Sequence, residues 1–158
     1  MPSIRRPLVG LALVVLLLLV WGAPTHQDIV GAQAPKTITM TRIYTGTDGQ
    51  SHAEEVDMRL TSGTATEMFK ASGVQFRRTP PGTFSDWHVG PRRQFVITLS
   101  GRGEIEVAGG RKVMLEPGRI ELIEDTTGKG HTTRTVGSED RVSIAIPLVD
   151  QTLGAPLR

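Results

Sequence analysis

The chain has 158 residues, of which 38% are hydrophobic and 22% charged, and its formal net charge is +2. That length holds one self-sufficient domain and a leader, with no room for a second independent core. Two of the positive charges, Arg5 and Arg6, fall in the leader, so a near-neutral body argues against nucleic acid as a partner, and the absence of cysteine excludes disulfides, thiolate metal sites and cysteine nucleophiles.

The first seven residues carry Arg5 and Arg6, and residues 8–23 form an uncharged apolar stretch containing Leu16, Leu17, Leu18 and Leu19. A basic region followed by such a stretch is the layout of a secretory signal. The apolar run is shorter than the roughly 20 residues that a spanning helix needs, and Val30-Gly31-Ala32 offers a small-residue cleavage site before Gln33. The expectation is a signal peptide over 1–32 and an exported protein, periplasmic or extracellular. An uncleaved N-terminal anchor is the alternative, and the sole expected link to a membrane.

From Thr37 onward, short runs rich in β-branched residues are separated by Gly, Pro, Asp and Ser clusters every eight to twelve residues. That rhythm predicts an all-β sandwich or barrel. The expected strands are 37–44, 54–60, 74–77, 94–99, 104–108, 112–115, 120–124, 132–136 and 142–147, within one domain over 37–150 and followed by a tail over 151–158. Residues 64–71 are the one stretch with helical spacing, through Ala65, Met68 and Phe69. Gly109-Gly110 predicts a tight hairpin, because glycine tolerates the positive φ angles it needs. Both faces of Phe95-Val96-Ile97-Thr98-Leu99 are apolar or nearly so, which predicts a strand covered on both sides by a second sheet or by a partner copy, making a homodimer conceivable.

The pattern Gly82-x5-His88-x-Gly90-x3-Gln94-x6-Gly101 follows the frame of the first cupin motif, and Pro117-Gly118 followed by Gly130-His131 follows the second. The chain therefore resembles small single-domain bacterial cupins over residues 82–134. The resemblance implies a double-stranded β-helix, a barrel of jelly-roll type, with the motif residues gathered at one mouth. It also implies metal ligands: His88 matches the family's first ligand and His131 its last. Gly90 stands where the family has a second His, and Gln94 where it has Glu.

A His88, Gln94, His131 set would be neutral and would favour Zn, Fe, Ni or Cu over harder ions. A metal-free pocket in which Gln94 bridges the imidazoles is an equal alternative. His52 and Asp86 are conceivable supplements to the set. His88, Gly90, Arg92 and Gln94 share parity, so an extended segment would aim all four at one side. Arg92 would then clamp a ligand carboxylate or phosphate, or else is a surface arginine, while Trp87 either walls the pocket or packs in a core. Glu124 and Asp125 are the catalytic candidates, as a general base near His131, against the alternative of turn hydrogen bonds by Asp125 and Thr126. No nucleophile elbow, phosphate loop or His-Glu-x-x-His helix is present. The expected function is an exported cupin that binds a small polar or anionic molecule, either as a metal-dependent enzyme of isomerase, lyase or dioxygenase type or as a non-catalytic binding or sensing module. A structural dimerising barrel is the third reading.

Overall fold

The computed structural model describes residues 37–149, so the leader read over 1–32 and the tail over 151–158 lie outside the described residues. Ten strands follow in order: β1 Ile38–Thr45, β2 Ser51–Met58, β3 Gln75–Thr79, β4 Phe84–His88, β5 Gln94–Ser100, β6 Arg102–Glu106, β7 Lys112–Leu115, β8 Ile120–Glu124, β9 His131–Val136 and β10 Arg141–Pro147. They form a six-stranded sheet, β2-β1-β8-β5-β10-β3, and a four-stranded sheet, β4-β9-β6-β7. Strands β3 to β10 alone give β3-β10-β5-β8 facing β4-β9-β6-β7. That interleaving is the eight-stranded jelly roll of two Greek keys, the double-stranded β-helix expected from the motifs. The β1–β2 hairpin widens the first sheet, with β1 lying parallel to β8.

Alternation along the strands divides the apolar side chains into two cores. Ile43, Ala53 and Ile123 of the large sheet meet Ile105, Val107, Val113 and Leu115 of the small sheet region, filling the barrel interior. On the other face of the large sheet, Met40, Val56, Met58, Phe95, Leu122 and Leu148 form a second cluster with Phe69 against it. Strand β5 is thus covered on both sides, by the interior at Val96 and by the second cluster at Phe95.

Three local expectations change. Residues 64–71 contain no helix; Met68 points into solvent at 92% exposure, and only Phe69 packs, edge-on against Phe95 with ring centroids 5.0 Å apart. The backbone instead runs beside the end of β10, where Ser72 N–H donates to Pro147 O and Val149 N–H to Lys70 O. Two tertiary backbone bonds and one aromatic anchor outweigh a weak helical spacing that includes two threonines. The Gly109-Gly110 hairpin forms with φ of +74° and +76°, but its loop spans Val107 to Arg111, closed by Val107 N–H to Arg111 O. Strand β4, absent from the sequence-based set, is an exposed strand whose apolar residues, Phe84 and Trp87, lack strand-like alternation. Leu122 has no exposed surface, so Leu122→Ala should lower stability by about 2–5 kcal/mol, read as a shift of the urea midpoint.

Candidate functional site

The two sheets enclose a cavity of about 210 Å³. His88, His131 and Gln94 line one part of it, and Arg77, Glu121 and Arg141 line it as well. Gln94 pairs across the sheet with Ile123, and Val96 with Glu121 two residues further along, so Gln94 and Glu121 share the inward face.

The imidazoles meet because the end of β4 pairs with the start of β9, with His88 opposite His131. Gly130 makes this approach possible: its φ is +75°, and a Cβ there would overlap the carbonyl of His88. The ring centroids lie 4.6 Å apart. His88 Nδ1 donates to the Asp86 carbonyl at 2.7 Å, and a carbonyl can only accept, so this nitrogen carries the hydrogen. His131 Nδ1 donates to Asp125 Oδ2 at 2.6 Å. With both Nδ1 atoms committed, Nε2 is the nitrogen each ring leaves for a ligand, an arrangement found where a second shell fixes a metal-binding imidazole. Gln94 Oε1 is buried and has no hydrogen-bond partner, an acceptor that water or a ligand must satisfy.

These three residues therefore fit a divalent transition ion as two neutral nitrogens and one amide oxygen. Among the described residues no three His, Asp or Glu side chains gather as a metal cluster. Gly90, where the motif resemblance implies a second His, has no room for a side chain. A Cβ on Gly90 would lie 2.5 Å from Ile123 Cγ2 and 3.3 Å from Asp125 Oδ1, and Gly90 is buried.

Asp125, read as a candidate general base, is placed behind His131 instead. It has no exposure, Oδ2 also accepts from Ser51 Oγ at 2.7 Å, and the residue orients the ring. Glu124 faces away from the cavity, between Arg42 Nε and Arg93 Nε, each at 2.6 Å. Burial would raise its pKa, but hydrogen bonds from Arg93 and Arg42 outweigh that and hold it below the usual range. Arg92 lines the same outer depression as Glu124, with Tyr44 and Thr126. The shared parity of residues 88–94 does not survive, because β4 ends at His88 and the chain bends before β5 begins at Gln94. Trp87 carries Lys129 Nζ 3.9 Å from its ring centroid and is not among the cavity residues. His52 is occupied by Asp48 at 3.0 Å, and Asp86 Oδ1 accepts from the Trp87 backbone.

Glu121 was not singled out from the sequence. It has no exposure, neither carboxyl oxygen has a hydrogen-bond partner, and burial pushes its pKa up to about 8 against the opposing charges of Arg141 and Arg119. The available signal was a single acidic residue between Ile120 and Leu122 in an apolar strand, at the parity of Ile123. An acid whose folded pKa exceeds its unfolded value holds its proton more tightly when folded, so stability falls as pH rises from about 4.5 to about 8 and then levels. Glu121→Gln should flatten that fall in urea titrations across the same window. Asp125→Ala should cost about 1–3 kcal/mol by stranding Ser51 Oγ and His131 Nδ1; in the same variant, 15N spectra of His131 should show a mixture of tautomers.

No family model matches the chain, and no curated protein is similar to it. Solved structures are similar to it in fold alone. A cupin 2 conserved barrel domain protein from Salinispora arenicola is 20% identical, with a TM-score of 0.39, over 49% of this chain and 61% of that one. This chain thus spans about three fifths of that relative's length. A cupin-like protein from Thermotoga maritima is 24% identical, with a TM-score of 0.41, over 65% of this chain and 73% of that one. A cupin domain from Bordetella pertussis is 18% identical, with a TM-score of 0.40, over 76% of this chain and all of that one.

Proposed function

We propose that this cupin barrel binds a small polar molecule in the cavity between its sheets, with His88, His131 and Gln94 as the recognition end. One observation carries the reading. Both imidazoles are locked through Nδ1 by internal acceptors, while Gln94 Oε1, lining the same cavity, is buried without a partner. A folded interior tolerates an unpaired acceptor poorly, so an occupant that donates hydrogen bonds or accepts lone pairs satisfies all three atoms together.

A divalent transition ion of the Zn, Fe, Ni or Cu type is the occupant that the donor set supports best. His88 Nε2, His131 Nε2 and Gln94 Oε1 would hold it, and when bound it would polarise a ligand oxygen as a Lewis acid. The chain's own contribution is to fix two ring orientations and to keep Asp125 behind His131 as the orienting carboxyl group. The second reading is a metal-free binding or sensing module, favoured by the absence of a carboxylate among the three donors. Arg92 and Glu124 line an outer depression and are not among the cavity residues. Export of the domain is part of the proposal, supported by Arg5, Arg6 and the apolar run over 8–23.

Zn²⁺ titrated into protein lacking residues 1–32 should bind one ion per chain and raise the melting temperature. His88→Ala and His131→Ala should abolish both effects, and Gln94→Glu should tighten binding roughly tenfold by adding charge to the site. Tight association of a polar metabolite without any metal would establish the second reading. Failure of Zn²⁺ and of a panel of polar metabolites to shift the melting temperature would overturn the proposal.

A further inference from the structure

Beyond the imidazoles, the cavity contains two guanidinium groups with little to neutralise them. Arg141 is 8% exposed, and its Nε and Nη2 both donate to the neutral Thr98 Oγ1, at 3.1 and 3.0 Å. Arg77 lies on β3, which pairs with β10, and its Nε donates to the neutral Gln75 Oε1 at 2.9 Å. Among the described residues neither arginine makes an ion pair. The large stem of Arg141 is accommodated by Gly103 on the facing sheet, where a Cβ would lie 3.1 Å from Arg141 Cδ. A charge placed this deep and left unpaired is costly unless something compensates it.

Glu121 is the nearest candidate for that role, yet it does not reach ion-pair distance of Arg141, and both of its carboxyl oxygens are buried without partners. The groups acting on it are Arg141 from β10, Arg119 at the entry to β8, and Glu55 of β2. Arg119 and Glu55 are joined to each other and to Thr41 of β1, while His88 and His131 face the same cavity from β4 and β9. Strand β5 presents the neutral Gln94 and Val96 to it, and β6 and β7 present Ile105 and Leu115.

We propose that the part of the cavity lined by Arg141, Arg77 and Glu121 is a subsite for the carboxylate of a small organic acid, with the guanidinium groups as its counter-charges and Glu121 as the acid that donates to it. The site rests on the small-molecule reading above and assigns the chemical class of the ligand. Two unneutralised arginines attract an anion, and a neutral carboxylic acid beside them supplies a proton where a carboxylate would repel one. Since burial holds the Glu121 proton up to about pH 8, the subsite is charged to receive an anion at neutral pH. Above that pH Glu121 ionises, offsets Arg141 and repels the ligand.

Malonate and its uncharged analogue malonamide are the probes, followed by calorimetry at pH 7 and pH 9 on protein lacking residues 1–32, with Zn²⁺ binding measured in parallel. Malonate should bind at pH 7, malonamide should not, and malonate affinity should fall about tenfold by pH 9 as one proton is required per anion bound. Arg77→Met, at a half-exposed edge position, should weaken malonate at least tenfold while leaving Zn²⁺ binding intact. Glu121→Gln should keep malonate affinity at pH 7 and abolish its decline at pH 9. Binding of malonamide as tight as malonate, or malonate binding unchanged in Arg77→Met, would overturn the subsite even if Zn²⁺ binds. Absence of both malonate and Zn²⁺ binding would overturn the subsite and the imidazole site together.

Discussion

A carboxyl group with no solvent exposure, Asp125, holds the ring of His131 at 2.6 Å. Most of the cavity's organisation depends on that contact. Asp125 follows the last residue of β8, its backbone carbonyl accepts from Gly90 N–H, and its side chain also takes the hydroxyl of Ser51 from the β1–β2 hairpin. A single residue thereby joins the large sheet, the bend before β5 and the first ring of the small sheet. In a dry interior each of these bonds is stronger than in water, and each is costly to leave unmade.

The polar interior divides into two chemistries. Around the imidazoles the groups are held by Nδ1 hydrogen bonds, and Gln94 Oε1 is short of a donor, which suits a soft or borderline cation or a hydrogen-bonding ligand. Around Arg141 the groups are cationic and short of an acceptor. Glu121 lies between these tendencies, and its raised pKa follows from burial outweighing two nearby arginines. Among the described residues, no ion pair of an arginine or lysine includes Arg141 or Glu121. Arg42, Glu124, Arg93 and Glu54 form a surface network, where water screens each contact and its contribution to stability is small.

The fold was legible in the sequence because a jelly roll repeats a simple signal. Strand–turn spacing and the two glycine-framed motifs locate nine of the ten strands and the mouth, and they bring His88, Gln94 and His131 to one cavity. Arg92 and Glu124 lie outside the cavity for different reasons: parity holds only along an unbroken strand, which Arg92 does not share with His88, whereas Glu124 ends β8 at the outward parity of Leu122. A bend at 89–93 resets it for Arg92, and the outward position of Glu124 depends on the register of β8 between β1 and β5. Arg141 and Glu121 were illegible for another reason. A charged residue in a short strand looks like a solvated face until the facing sheet is in place, and that sheet is assembled from four separate strands, β4, β9, β6 and β7.

At Gly130 the backbones of two imidazole-bearing strands touch with no allowance for a side chain. A methyl group at 130 would overlap the His88 carbonyl and push the paired rings apart whatever they bind. A glycine immediately before the final histidine is thus a better fingerprint of this mouth than any of its donor atoms, and it offers a way to pick out other barrels with the same paired imidazoles from sequence when their remaining ligands have been exchanged.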